Sequence, residues 1–515
     1  MQLNEVVARI PRARGSVLVL EGGSWVRRAF ADVWHDVRVA IAFLRRIGLS
    51  ARARVGVAAP NCYAWLVLDL ACVAEGIVVV PFDAAAAEDF GAILADFELG
   101  ALFVSGSGEN RGSQRVFPLK GLLAGAAPAE AKSYRFSADD VFALRFTSGS
   151  TKTARAIEAR AGSVNDSIVA VQGMFRHGPG DTILIFLPMS LLQQRYWVYS
   201  AILYDFDIVL TTAPFALNAL IDRRPTVVMA VPEFYEGLKR RFREHVAESA
   251  LTSTRYYLHL AIARALFWRD KKPGFAPFQA MLGGRIRYLW TGSAGSNVDT
   301  IRFYRDMGVD LFQGYGMNET CIVSKNYPGN HRIGSAGKLL PNKEVRFGAD
   351  GELFVRGRFP VNVEYYRRPC EDKDEVFLSD GFVRTGDLAR IDRDGFLFIT
   401  GRKKDIIVLS SGKKVNPVRI EERFRSVAEI VNCIVLGTDR PYLVAIIEPM
   451  RGVDAGVIRT VVDAVNKTLL PEERVFKFCL TEEPFSVENG LLTSQFKPRR
   501  NRIAERYRPA LDRLY

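Results

Sequence analysis

Short, continuous apolar runs recur through the first part of the chain: RVGVAAPN (54–61), GIVVVPF (76–82), TILIFLPM (182–189), DIVLTTAP (207–214), TVVMAVP (226–232) and IRYLWTGSAG (286–295). A strand exposed on one face alternates apolar with polar residues, whereas one covered on both faces reads as an unbroken apolar run. Helical stretches separate several of these runs, and strand, crossover helix, strand is the unit of a parallel sheet. One such helix is explicit in residues 29–48, where Phe30, Val33, Trp34, Val37, Ile41, Leu44 and Ile47 share a stripe and Gly48 provides the stop. Roughly the first 400 residues therefore read as a large α/β body.

The texture changes after Gly401. DIIVLSSGKKVNP, AEIVNCIVLG and PYLVAIIEP are short strands with helices between them, which predicts a small α+β domain at the C-terminal end, one that the family resemblance drawn below implies to be mobile. The expected division is 1–403 and 404–515, with the charged turn GRKKD (401–405) as the hinge. A chain of 515 residues with 48% hydrophobic and 25% charged residues has ample apolar material for more than one core, and this excludes a disordered protein.

The N-terminal MQLNEVVARIPRARG carries charges where an export signal needs an apolar run, so a cytoplasmic protein is expected. WLVLDLACVAEGIVVVPF is broken by Asp69, Glu75 and Gly76, which predicts a buried helix and a strand rather than a membrane span. The six cysteines show no C-x-x-C pair and the five histidines no metal-binding spacing, so reduced thiols are expected and any metal would be held by oxygen. Net charge is +13, with basic runs at 238–246, 267–272 and 497–509. Such runs are often solvated helix faces, and otherwise they point to an acidic partner.

The chemistry is carried by pieces in a fixed order: FTSGSTKTAR (146–155), FLPMSLLQQR (186–195), GSAG (292–295), GYGMNET (314–320), RTGDL (384–388) with GRKKDIIVLSSGKKVNP (401–417), and NGLLTSQFKPRR (489–500). The first offers hydroxyls, backbone amides and two cations in one turn that lacks the Walker spacing, a composition suited to cradling a polyanion. Together these pieces resemble the adenylate-forming superfamily of AMP-binding enzymes: acyl-CoA synthetases, nonribosomal-peptide adenylation domains and beetle luciferases. The last two motifs and LGGRIRYLWTGSAG look closest to the long-chain fatty acyl-CoA synthetase branch.

The resemblance implies that Thr147, Ser148, Gly149, Ser150, Thr151 and Lys152 bind the ATP phosphates with Arg155, and that Ser293 and Ala294 run along the adenine. It places Gly314, Tyr315 and Gly316 beside the adenine, Asn318 at the α-phosphate, Glu319 on Mg²⁺, and Asp387 and Arg402 on the ribose. Lys404 falls at the hinge, and Lys497 bridges the acid's carboxylate and the α-phosphate. A cation suits that last role because two anionic groups must meet and no general base is needed. Trp197, Tyr235, Trp290 and residues around Ser293–Gly295 are candidate lining of an apolar acid pocket.

Several positions depart from the family pattern. Lys152, Ala154, Arg155 and Ala156 replace Gly, Pro, Lys and Gly; Asn318 replaces Thr, Leu191 replaces His, and Ser411 stands where Gly is usual near the pantetheine path. The reading is an AMP-forming ligase that activates a fatty or aryl acid with ATP and Mg²⁺ and passes it to CoA. One alternative passes it to an acidic acyl carrier protein. The other is a non-catalytic, basic nucleic-acid-binding or regulatory protein on a degenerate ligase scaffold; under the ligase reading nucleic acid is not an expected partner, and the basic runs leave a peripheral membrane contact open.

Overall fold

The computed structural model describes residues 1–82, 89–106, 114–124, 127–131, 133–146, 156–266, 273–292, 295–359, 365–366, 376–493 and 498–515. Two large sheets organise the body. In spatial order, the first contains Lys338–Leu339, Cys321–Lys325, Leu311–Met317, Tyr288–Thr291, Val227–Ala230, Thr182–Ile185, Asp207–Leu210, Ser16–Glu21 and Ser24–Ala29. Its centre is parallel, from Leu311–Met317 to Ser16–Glu21, and antiparallel strands close both edges. The second runs Val116–Pro118, Leu99–Val104, Arg54–Ala58, Val78–Phe82, Val141–Phe146 and Ala156–Arg160, parallel except for the final pair.

The apolar runs are strands covered on both faces, as expected. Ile183 and Ile185 enter one core while Leu184 enters another, because successive side chains leave a strand on opposite faces. The first core joins one face of each large sheet to the helices Leu3–Arg9, Phe30–Arg46, Tyr63–Glu75, Ala161–Phe175 and Leu192–Tyr204. The second covers the other face of the nine-stranded sheet with the helices Ala216–Arg223, Pro232–Ala247, Ala250–Ala265 and Val298–Asp306.

The buried helix Tyr63–Glu75 ends at Gly76, whose φ of 68° lies in the left-handed region that a Cβ disfavours. Its one interior charge, Asp69, meets Arg195 at 2.5 Å and accepts from the Tyr199 hydroxyl at 2.6 Å. That pairing is why an acid is tolerated in an otherwise apolar helix. Among the described residues, no helix is long and apolar enough to cross a membrane.

Four antiparallel strands follow the body: Lys343–Phe347, Glu352–Gly357, Val383–Ile391 and Leu397–Arg402. Beyond them, Ile430–Leu436, Leu443–Pro449 and Val475–Leu480 form a three-stranded sheet. It shares its own core with the helices Pro417–Arg425 and Ala455–Asn466, through Ile420, Phe424, Ile458 and Val462. The architecture is thus the expected α/β body with a smaller α+β unit after it.

Candidate active site

The strands Leu311–Met317 and Cys321–Lys325 make a hairpin with a bulge between Tyr315 and Gly316. Its glycines are dictated by packing. A Cβ on Gly316 would lie 2.3 Å from the Cys321 carbonyl oxygen, and one on Gly314 would lie 2.5 Å from Cδ of Lys325. The turn between the strands carries Asn318 and Glu319. Asn318 Nδ2 donates to the Phe146 carbonyl at 2.8 Å, so its amide is tied to the end of the strand that leads into residues 147–155.

Glu319 is 8% exposed, not a surface charge, and its Oε1 accepts from the Tyr365 hydroxyl at 3.2 Å. Beneath it lies Arg145, buried on Val141–Phe146, whose Nη1 donates to Cys321 Sγ at 3.3 Å. Tyr196 brings its hydroxyl to within 3.6 Å of the same sulfur. Burial pushes the Cys321 thiol up, but Arg145 and Lys343 outweigh it and bring the pKa down to about 7. Cys321 also adopts φ 55°, uncommon for a residue with a side chain, as the hairpin turns.

A second group converges on Asp387, a buried residue on Val383–Ile391. Its Oδ2 accepts from the Tyr315 hydroxyl at 2.7 Å and its Oδ1 from Arg402 Nε at 2.9 Å. Asp387 and Arg402 are direct neighbours across the antiparallel ladder, which explains how residues fifteen apart in sequence meet. Thr385 holds the bend: its hydroxyl donates to the Leu353 carbonyl and accepts from the Asp387 amide. The three residues Tyr315, Asp387 and Arg402, singled out from separate motifs, thus form one cluster. The neighbouring cation Lys403 pairs with Asp350 at 2.6 Å and Glu352 at 3.0 Å, while Lys404 is exposed.

A small cavity lies between the helices Ala161–Phe175 and Leu192–Tyr204 and the strands bearing Met229, Trp290 and Ile322. Tyr196, Trp197 and Trp290 are among its lining residues. Trp197 meets Trp290 edge to face at 5.4 Å and donates its indole N–H to Met229 Sδ at 3.4 Å. Phe175 stacks on Trp290 at 5.2 Å, and the Lys325 amine, its pKa lowered by burial, points at the Trp290 ring 3.8 Å from its centre. Tyr235 does not line this cavity. It is closed into the second core and donates to the Val228 and Trp290 carbonyls, so its hydroxyl fixes the strands instead.

Thr147, Ser148, Gly149, Ser150, Thr151, Lys152, Arg155, Ser293, Ala294 and Lys497 lie outside the described residues. Two of the flanking segments reach the strand and hairpin that bear Tyr315 and Asn318. Phe146 touches Asn318, and Ser296 accepts from or donates to Thr291 and bonds through its amide to Gln313, on the strand that leads to Tyr315. Arg145, Tyr365 and Cys321 were not found by motif. For Arg145 a signal existed, since a lone cation inside VFALRF needs a buried partner. Among the described residues, no group of three or more His, Cys, Asp or Glu side chains is placed to hold a metal.

Fold and site together define an enzyme of the adenylate-forming class. Residues 7–362 match the AMP-binding enzyme family and residues 404–515 match the AMP-binding enzyme C-terminal domain; the chain belongs to the AMP-binding enzyme family. It is 27% identical to the long-chain-fatty-acid–CoA ligase FadD15 of Mycobacterium bovis, covering 96% of this chain and 93% of that protein. It is 26% identical to the peroxisomal long chain acyl-CoA synthetase 7 of Arabidopsis thaliana, over 73% of this chain and 61% of the relative. Among solved structures, ATP-bound MatB from Rhodopseudomonas palustris superposes with a TM-score of 0.78 at 21% identity, covering 98% of this chain and 99% of the other. The o-succinylbenzoate CoA synthetase MenE of Bacillus subtilis, in complex with its acyl-adenylate, gives 0.77 at 20% identity, covering 98% and 97%.

Proposed function

We propose that this enzyme is an ATP-dependent, AMP-forming ligase that joins a fatty or aryl carboxylic acid to coenzyme A. The observation that carries the reading is the convergence of Tyr315, Asp387 and Arg402 next to the hairpin that bears Glu319. Asp387 is the acceptor for the ribose hydroxyls, since a carboxylate takes hydrogen bonds from neighbouring OH groups better than a neutral side chain does. Tyr315 and Arg402 hold it in place.

Glu319 would hold Mg²⁺ through a hard carboxylate oxygen. When bound, the ion neutralises charge on the departing pyrophosphate. Asn318 anchors the start of the loop 147–155, whose hydroxyls and Lys152 and Arg155 take the phosphates. Lys497 brings the acid's carboxylate to the α-phosphate: the carboxylate oxygen bonds to phosphorus, the bond to pyrophosphate breaks, and positioning with charge neutralisation does most of the work. In the second half-reaction the CoA thiol attacks the acyl carbon and AMP leaves. The cavity beside Trp197 and Trp290 receives the acyl group.

The body 1–403 and the unit 404–515 turn relative to one another at Lys404 between the two half-reactions. An acidic acyl carrier protein is the other candidate acceptor, favoured by the net charge of +13. A cytoplasmic setting is supported by the free thiols Cys62, Cys72, Cys321, Cys433 and Cys479.

The test is ATP–pyrophosphate exchange across a panel of fatty and aryl acids, repeated with Lys497→Ala, followed by product analysis with CoA or carrier protein. Acid-dependent exchange, lost in Lys497→Ala without loss of folding, is the expected result. Background exchange with every acid would overturn the ligase reading, and undiminished exchange in the variant would remove Lys497 from it.

A further inference from the structure

Arg145 is the one charged side chain on the strand Val141–Phe146, and it is 5% exposed. Its Nη1 donates to Cys321 Sγ, while Nε and Nη2, both buried, have no hydrogen-bond partner among the described residues. Among those residues the other arginine buried as deeply, Arg195, has the Asp69 carboxylate against it at 2.5 Å. The acids near Arg145 are engaged elsewhere. Glu319 accepts from Tyr365, and Asp166, which faces the neighbouring cation Lys343, accepts from Asn342. A buried guanidinium with an open edge is destabilising, so packing alone gives no reason for one here.

The open edge has a definite shape. Nε–H and one N–H of Nη2 point the same way, side by side, and this fork matches the two oxygens of a carboxylate. Its position is equally specific. The Tyr196 hydroxyl lies 3.6 Å from the same Cys321 sulfur, and Tyr196 and Ile322 both line the cavity assigned to the acyl group. On the nucleotide side, Asn318 holds the carbonyl of Phe146, the residue next to Arg145. An acid whose chain fills the cavity and whose oxygen must reach the α-phosphate therefore brings its carboxylate past this guanidinium. We propose that Arg145, with the Tyr196 hydroxyl beside it, binds the carboxylate of the acid substrate. The inference rests on the ligase reading and adds to it a substrate contact from the body of the enzyme, distinct from Lys497. When one carboxylate oxygen turns to phosphorus, the other keeps its bond to the fork. A phosphate would fit the same fork, but the cavity beside Tyr196 favours the acid.

The experiment is ATP–pyrophosphate exchange with octanoate, palmitate and benzoate, varying acid and ATP in turn, in Arg145→Met, Arg145→Lys and Tyr196→Phe, with a urea melt of each. Arg145→Met should raise the KM for the accepted acid about 30-fold or more, while the KM for ATP stays within about twofold. Arg145→Lys, which keeps a charge without the fork, should recover part of that loss, and Tyr196→Phe should raise the acid KM about fivefold. The urea midpoint of Arg145→Met should equal or exceed that of the parent, because the variant loses a buried charge that has no counter-ion. An acid KM within about twofold of the parent in Arg145→Met overturns the proposal. So does a rise confined to the KM for ATP, which would make Arg145 a phosphate ligand, and so does a lowered midpoint with both KM values unmoved, which would mark a structural residue. Should Arg145→Met fail to fold, the acid KM of Arg145→Lys and Tyr196→Phe decides by the same criterion. Exchange in the parent with an acid KM that the variants leave alone removes this contact and spares the ligase reading; background exchange in the parent removes both.

Discussion

Replacing Asp387 by Asn tests the ribose assignment directly. The carboxylate now satisfies two donors at 2.7 and 2.9 Å, one from Tyr315 and one from Arg402. An amide accepts at only one end and presents N–H groups at the other, so one of those donors loses its partner. Hydrogen bonds to a charged acceptor contribute about 1.5–3 kcal/mol and neutral ones about 0.5–1.5 kcal/mol, so two weakened ribose bonds amount to about 2–3 kcal/mol. That corresponds to a rise of roughly 30- to 150-fold in the KM for ATP. Stability should fall by less than about 1 kcal/mol, because the Arg402 side chain is 47% exposed and solvent screens the pair. The assay is exchange at varied ATP with acid and Mg²⁺ saturating, alongside a urea melt. Tyr315→Phe, which removes one donor and keeps the ring, should cost about 1 kcal/mol, near fivefold in KM. A KM for ATP within twofold of the parent in Asp387→Asn, with the protein folded, would refute the reasoning.

Other positions give equally definite expectations. Burial, which outweighs the nearby Asp181 carboxylate, keeps His177 neutral, its pKa pushed down from 6.5 to about 4. The unfolded chain therefore binds the extra proton between those values, and stability drops as pH falls through that window, by about 2 kcal/mol at pH 5; urea midpoints at pH 7 and pH 5 should differ less in His177→Gln than in the parent. Gly316→Ala should cost about 3 kcal/mol in a urea melt, because its Cβ meets the Cys321 backbone, which cannot step aside as a flexible side chain does; a melt matching the parent would show that the hairpin yields. Trp197→Ala removes a wall of the cavity and should raise kcat/KM for palmitate relative to octanoate, at a stability cost of about 3–5 kcal/mol; an unchanged ratio would mean the acyl chain does not reach that wall.

The fold was legible where the chain's own periodicity decides it. Unbroken apolar runs announced two-faced strands, and the stripe from Phe30 to Ile47 announced a helix that spans Phe30–Arg46. Extents were less legible: TILIFLPM is a strand only over Thr182–Ile185, and Phe186 and Leu187 leave it to fill the second core ahead of Pro188. At the site, the family resemblance pointed to Tyr315, Asp387 and Arg402, but their meeting depends on a ladder register that no local pattern encodes. Arg145 and Cys321 escaped notice for the same reason, since they lie 176 residues apart and only the packing of two sheets joins them. Tyr235 was misjudged because an aromatic beside a strand end looks alike whether it faces a cavity or closes a core. Its two carbonyl partners settle the matter.

The pairing of Ser16–Glu21 with Asp207–Leu210 carries a consequence for biosynthesis. Ser16 bonds to Asp207 through both its amide and its hydroxyl, across 191 residues of sequence. At ordinary translation rates of about 5–20 residues per second, the first hairpin leaves the ribosome roughly 10–40 s before its neighbour is made. During that interval Val17, Val19 and the open edge of Ser16–Glu21 wait for a partner, a state in which nascent chains are vulnerable to association and dependent on chaperones.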